Sequence, residues 1–137
     1  MFVITKDGKI EYVAALPENV KTEMDQFYAD VDTLVKINLS FEETLFFAAM
    51  IHLVFVKIHP FNDGNGRTAR LLEKWFLAQK LGEKAWFVQS ERNYYYFQLN
   101  YYTNIRKLGL DYEVLNYQAA LPFLQMLPNA INQKIVN

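Results

Sequence analysis

The chain has 137 residues, 52% of them hydrophobic and 21% charged, which fits one compact domain with a sizeable core and excludes wholesale disorder. Fourteen basic against fifteen acidic side chains leave a formal charge of −1, without the basic excess of a general nucleic-acid binder. Cysteine is absent, which excludes a disulfide framework and a zinc–thiolate site.

The N-terminus, Met1 to Asp7, lacks the basic flank and apolar stretch of a signal peptide. No uninterrupted apolar run reaches the ~18 residues of a membrane span. The expectation is a soluble, cytoplasmic single domain over residues 1–137, with no membrane or nucleic-acid partner.

In chain order, residues 2–13 alternate loosely around Asp7-Gly8, which predicts a β-hairpin. After Pro17, Val20, Met24, Phe27, Tyr28, Val31, Leu34 and Val35 recur at spacings of three and four, predicting an amphipathic helix over 18–37. Ser40 followed by Glu43 reads as a capping box. The helix it opens, about 41–57, is apolar almost all round and belongs in the middle of a bundle. Pro60 ends it by disfavouring helical geometry at His59.

A loop over 59–66 leads into a helix at about 67–81, with Leu71, Leu72, Trp75, Phe76 and Leu77 inward and Gly82 as its stop. A further helix is expected over 91–107, behind Ser90 and before Gly109. One or two shorter helices should follow around Pro122 and Pro128. The fold class is all-α: a small bundle with one N-terminal hairpin. Four consecutive rings, Tyr94-Tyr95-Tyr96-Phe97, cannot all point inward from one helix, so some line a groove or the face of a homodimer.

The chemistry is concentrated in His59-Pro-Phe-Asn-Asp-Gly-Asn-Gly-Arg-Thr-Ala-Arg70. Gly64 and Gly66 flank Asn65 at a helix start, where backbone N–H groups converge with the positive end of the helix. Such a nest suits phosphate. Arg67 and Arg70, three apart, project from one side of the first turns and supply two guanidinium forks. Asp63 is a hard oxygen ligand placed where Mg2+ would bridge phosphate oxygens. His59 can accept a proton near neutral pH from an attacking hydroxyl.

Each piece alone has a plain alternative. Asp63-Gly64 and Asn65-Gly66 are common turn dipeptides, a lone His before Pro is usually structural, and two arginines can be surface charges. A calcium loop is excluded, because Arg67 falls where an acidic position is needed and no Glu sits at the twelfth. The conjunction within twelve residues resists these alternatives.

The segment resembles the Fic signature, His-Pro-Phe-x-Asp/Glu-Gly-Asn-Gly-Arg-x-x-Arg, at every defined position. The resemblance spans roughly residues 2–127, although only 59–70 is highly specific. It implies a Fic-type helical bundle whose N-terminal hairpin acts as a target-positioning flap. It implies a protein adenylyltransferase that moves AMP from ATP, with Mg2+, to a Ser, Thr or Tyr hydroxyl of a target protein. His59 then resembles the general base, Phe61 a core anchor for the loop, and Asp63 the Mg2+ ligand. Gly64, Asn65 and Gly66 match the anion hole, with the Asn65 side chain close to the α-phosphate. Arg67 matches the phosphate-binding arginine, and Arg70 the one that meets the γ-phosphate or an inhibitory Glu. Tyr95 falls near the adenine end of the pocket, or else in the core. Doc-type kinases carry Lys at the position of Gly66, so Gly here favours nucleotidyl transfer.

His52 reads as a satisfied core histidine, and Glu73 and Lys74 as solvated. Many members of the resembled family carry an inhibitory Ser/Thr-x-x-x-Glu-Gly/Asn helix. The nearest approach here, Ala14 to Asn19, lacks the hydroxyl residue and contains Pro17. That predicts a separate, antitoxin-like inhibitor docking near Arg70, or a regulatory part beyond this chain. Two other functions fit the motif: transfer from another nucleotide or diphosphate donor such as UTP, and a non-catalytic Fic fold that binds nucleotide or a partner.

Overall fold

A computed structural model describes the backbone of residues 1–4 and 6–136 and the side chains of 1–4 and 6–131. It is mostly helical, with a two-stranded antiparallel hairpin at the N-terminus, as expected. Strands β1 (Phe2–Ile4) and β2 (Ile10–Val13) pair Val3 with Tyr12, and an irregularity follows between Val3 and Ile4. Gly8 turns the hairpin at φ 80°, a value open to glycine at little cost.

The hairpin is tied down at several points. Met1 and Ala14 exchange hydrogen bonds, Ala15 N–H donates to Lys57 C=O at 3.1 Å, and Arg106 donates to Ile10 C=O at 2.8 Å. Tyr12, Val13, Ala14 and Ala15 are buried as a result.

A short 3-10 turn at Pro17–Asn19 leads into α1 (Val20–Lys36), which buries Met24 and Phe27. Helix α2 (Phe41–Ile58) opens on the expected capping box: Ser40 Oγ accepts from Glu43 N–H at 3.1 Å, and Glu43 Oε1 accepts from Ser40 N–H at 3.0 Å. Ser40→Ala removes half of that box and should lower the unfolding free energy by about 1 kcal/mol. The urea midpoint would fall while the slope stays unchanged.

Most of the apolar circumference of α2 is covered by its neighbours, with Phe41 and Phe46 left exposed. The helix packs on α1, on α3 (Asn65–Leu81), and on α6 (Leu121–Leu124) and α7 (Met126–Val136). Ala48, Ala49, Leu53 and Phe55 are buried along it. The helix expected over 91–107 is two: α4 (Ser90–Tyr96) and α5 (Gln98–Arg106), broken at Phe97 with ψ 40°. The break separates the aromatic run by environment. Tyr94 is in the core, whereas Tyr95, Tyr96 and Phe97 face outward.

Glu73 and Lys74 correct the sequence reading. Glu73 is fully buried, because it shares a helix face with Ala69, Phe76 and Leu77, which α2 covers. Its Oε2 accepts from Ser90 Oγ at 2.6 Å and its Oε1 from Tyr94 OH at 2.7 Å; His52 Nδ1 lies 3.3 Å from Oε1. His52 Nε2 meets Tyr101 OH at 2.9 Å, so His52 is the satisfied core histidine that was expected. Lys74 donates to the carbonyls of Ala85 and Val88 and lies 3.7 Å from Glu91. Among the described residues, no helix is long and apolar enough to cross a membrane.

Candidate active site

The site begins where α2 stops. His59 closes the helix in the left-handed region, φ 55° and ψ 59°, while its N–H still donates to Phe55 C=O at 3.0 Å. It is the one non-glycine residue with positive φ among those described. A left-handed backbone at such a residue costs about 1–2 kcal/mol, and strain of this kind concentrates at functional positions. The ring is half-buried, and burial holds the imidazole below its ordinary pKa. Its Nδ1 lies 3.0 Å from Tyr12 OH, which reaches it from β2.

The loop then folds back on itself. Asn65 Oδ1 accepts from Phe61 N–H at 2.9 Å, and Asn65 Nδ2 donates to Phe61 C=O at 2.7 Å. The Asn65 side chain therefore braces the loop, and these two contacts leave its second amide N–H unused. Short polar side chains that bond nearby backbone are a local signal that points to this brace. Phe61, expected as a core anchor, has its ring half-exposed, packed 6.0 Å from Phe55. The loop is anchored by the Phe61 peptide more than by its ring.

Gly64 enters α3 at φ 84°, and Thr68 N–H closes the first turn on Gly64 C=O at 2.9 Å. No side chain caps α3. Its first-turn N–H groups and the positive helix end therefore face the loop without a competing side-chain acceptor. A Cβ at Gly64 would come 3.3 Å from Arg67 Nη2, and one at Gly66 would come 3.3 Å from Arg70 Nη1. Each glycine lets a guanidinium lie against the backbone, which concentrates positive charge on the nest.

These residues surround one hollow of about 340 Å³. His59, Asp63, Gly64, Asn65, Gly66, Arg67 and Arg70 all line it, so the structure brings together every candidate from the 59–70 segment. Tyr95 is not among the residues lining this hollow and is 76% exposed on α4, so it does not lie in the core. The rings that do line the hollow are Tyr12, Tyr101 and Tyr102. Sequence reasoning missed all three, because their approach to residues 59–70 depends on how β2 and α5 pack.

His59 also borders a second, larger hollow of about 510 Å³, which runs beside Met1–Ile4, Pro17 and Val20. The imidazole thus stands on the boundary between a polar cup and a groove along β1.

Asp63 is almost fully exposed, with Oδ2 3.0 Å from Arg67 Nη2. No group of three metal-ligating side chains occurs among the described residues. A protein-only cage is therefore not what Asp63 offers. One exposed carboxylate beside a phosphate nest, here paired with Arg67 through Oδ2, does fit Mg2+, which commonly takes one or two carboxylates and completes its shell from phosphate oxygens and water.

The loop, the nest and the hairpin together build a cup whose backbone and arginines suit phosphate groups. The profile of the Fic/DOC family matches residues 3–77, more than half of the chain, which belongs to that family. Over 90 residues the chain is 36% identical to the protein adenylyltransferase Fic of Nematostella vectensis, covering 66% of this chain and 20% of that protein. The corresponding protein of Aedes aegypti is 43% identical over 51 residues, 37% of this chain and 10% of that one. A uridine 5'-monophosphate transferase of Xanthomonas campestris pv. campestris (strain 8004) is 39% identical over 66 residues, 44% of this chain and 12% of that one. The chain thus spans a fifth or less of the length of these relatives. No solved structure matches it.

Proposed function

We propose that this chain transfers AMP from ATP, in the presence of Mg2+, to a Ser, Thr or Tyr hydroxyl of a target protein. The observation that carries this reading is the position of His59, between a cup lined by Arg67, Arg70 and the Gly64–Gly66 turn and a groove beside the hairpin edge. A polyphosphate in the cup and a protein segment in the groove would both reach one imidazole.

The geometry supports the following roles. The N–H groups of the Gly64–Gly66 turn and the start of α3 hold phosphate oxygens, with the Arg67 and Arg70 guanidiniums neutralising the rest. Tyr102, half-buried in the cup wall, offers its ring to the base. The edge of β1 accepts the target segment by strand addition. His59 takes the proton of the target hydroxyl as its oxygen attacks the α-phosphorus. The α–β phosphoanhydride bond then breaks and pyrophosphate leaves. Asp63 would hold Mg2+, which when bound screens the charge on the phosphates and on the departing pyrophosphate. Positioning and charge stabilisation supply most of the rate.

Arg70 lines the cup with its guanidinium against Gly66. Removing a charge-assisted contact to phosphate costs about 1.5–3 kcal/mol. Arg70→Ala should therefore weaken ATP binding roughly 10- to 100-fold by calorimetry. The same partly buried cationic position suits a separate inhibitory protein that places a carboxylate there.

The test of the reaction is incubation with Mg2+ and lysate, using α-labelled and γ-labelled ATP in parallel. Protein bands labelled only from the α-position support AMP transfer; bands labelled only from the γ-position indicate a kinase and overturn it. The similarity to a uridine 5'-monophosphate transferase favours one second reading, UTP as donor. Equal labelling from α-labelled ATP with and without excess UTP decides against it.

A further inference from the structure

We infer that Tyr12 is the positioning residue of the base, accepting a hydrogen bond from His59 Nδ1–H so that Nε2 is the nitrogen left to take the target's proton. The inference rests on the reading of His59 as base and adds the device that orients it. Among the described residues, Tyr12 OH at 3.0 Å is the partner of Nδ1, and Nε2 has none.

The phenol is held firmly. Tyr12 is only 5% exposed, its ring stacks on Tyr102 with centroids 6.4 Å apart, and the Lys57 ammonium lies 5.6 Å from the ring centre. Its strand is anchored from both sides, through Arg106 to Ile10 and through Ala15 to Lys57. A hydroxyl fixed in this way dictates the orientation of the imidazole it meets.

The proton count decides the role. A neutral imidazole carries one N–H. If that proton sits on Nε2, the phenol must donate to Nδ1, and the ring has no lone pair free for a substrate. If it sits on Nδ1, the phenol oxygen accepts it and the Nε2 lone pair is free. Only the second arrangement contains a base. When Nε2 then receives the hydroxyl proton, the ring becomes an imidazolium and Nδ1–H becomes a stronger donor. The Tyr12 oxygen is the acceptor already in place. Its hydrogen bond strengthens as the proton arrives, so it stabilises the transition state more than the ground state.

Because Tyr12 belongs to β2, the strand that faces the polar cup also sets the base beside the groove along β1. The hairpin then has a second task besides receiving a target segment.

The experiment is long-range 1H–15N NMR of the labelled full chain, alone and as Tyr12→Phe, paired with steady-state kinetics of AMP transfer. The wild type should show His59 mainly as the Nδ1–H form. Tyr12→Phe should revert toward the Nε2–H form that free imidazole side chains favour. Its kcat should fall about 10- to 100-fold, the range spanned by one hydrogen bond to a charged group, with KM for ATP unchanged. A wild-type His59 that is mainly Nε2–H, a fall in kcat with the same tautomer in both proteins, or an unchanged kcat would each overturn the inference. If the wild type transfers no nucleotide at all, the proposed function fails, and the NMR spectra alone decide the tautomer.

Discussion

His59→Ala is expected to reduce nucleotide transfer on the order of 10²–10⁴-fold, the usual contribution of a positioned general base. ATP should bind nearly as before, because the phosphate contacts proposed above use the Gly64–Gly66 turn, Arg67 and Arg70 rather than the imidazole. The pH dependence gives a second handle. Burial favours the neutral ring and moves the conjugate acid of His59 below its ordinary value of 6.5. A base must be neutral to accept a proton, so the acid limb of kcat/KM in the wild type should lie below that value. Linkage runs the same way. The unfolded chain binds the proton more readily, so this group's contribution to stability is full above the unfolded pKa. It is lost as pH falls from there toward the folded pKa. His59→Ala should therefore lose its catalytic acid limb along with the activity. Transfer by the mutant at the wild-type rate would remove His59 from the mechanism.

Glu73→Ala is expected to destabilise the fold by about 3–5 kcal/mol, since a buried donor left without its acceptor costs about 1–3 kcal/mol and several are stranded together. Three donors converge on this carboxylate: Ser90 Oγ, Tyr94 OH and, in the tautomer that satisfies the whole cluster, His52 Nδ1–H. Tyr101 OH then donates to His52 Nε2, completing the chain of contacts. With Glu73 gone, two hydroxyls and an imidazole N–H lose their acceptor in a site closed to water, and a cavity is added. For a chain of this size the melting temperature should drop by roughly 10–20 °C. A whole domain has about 5–15 kcal/mol of stability, so the variant would be near its folding limit. Differential scanning calorimetry measures this directly. A drop of only a few degrees would mean that the cluster relaxes or hydrates easily.

Much of the architecture was legible because its rules act over a few residues. The Asp7-Gly8 turn, the Ser40–Glu43 box and the Pro60 stop each depend on neighbours within four positions, and each stands where expected. The start of α3 came two residues earlier than its pattern suggested, since Gly64 supplies the left-handed entry and Asn65 already lies in the helix. The single helix over 91–107 did not hold, because periodicity alone carries no mark of the break at Phe97.

The amino-acid order by itself determined which residues of 59–70 line one cup, since glycines, arginines and a helix start bring N–H groups and positive charge together. Only the tertiary structure decided which other groups meet that cup. Tyr12 and His59 are 47 positions apart, and His52 and Glu73 are 21 apart. Whether such pairs touch depends on which faces of the hairpin, α2, α3 and α5 are buried against one another. The same packing sends Glu73 inward, leaves Tyr95 in solvent and turns the Asn65 amide onto the loop's own backbone. Burial is a property of faces in contact, and a linear pattern encodes each face without naming its partner.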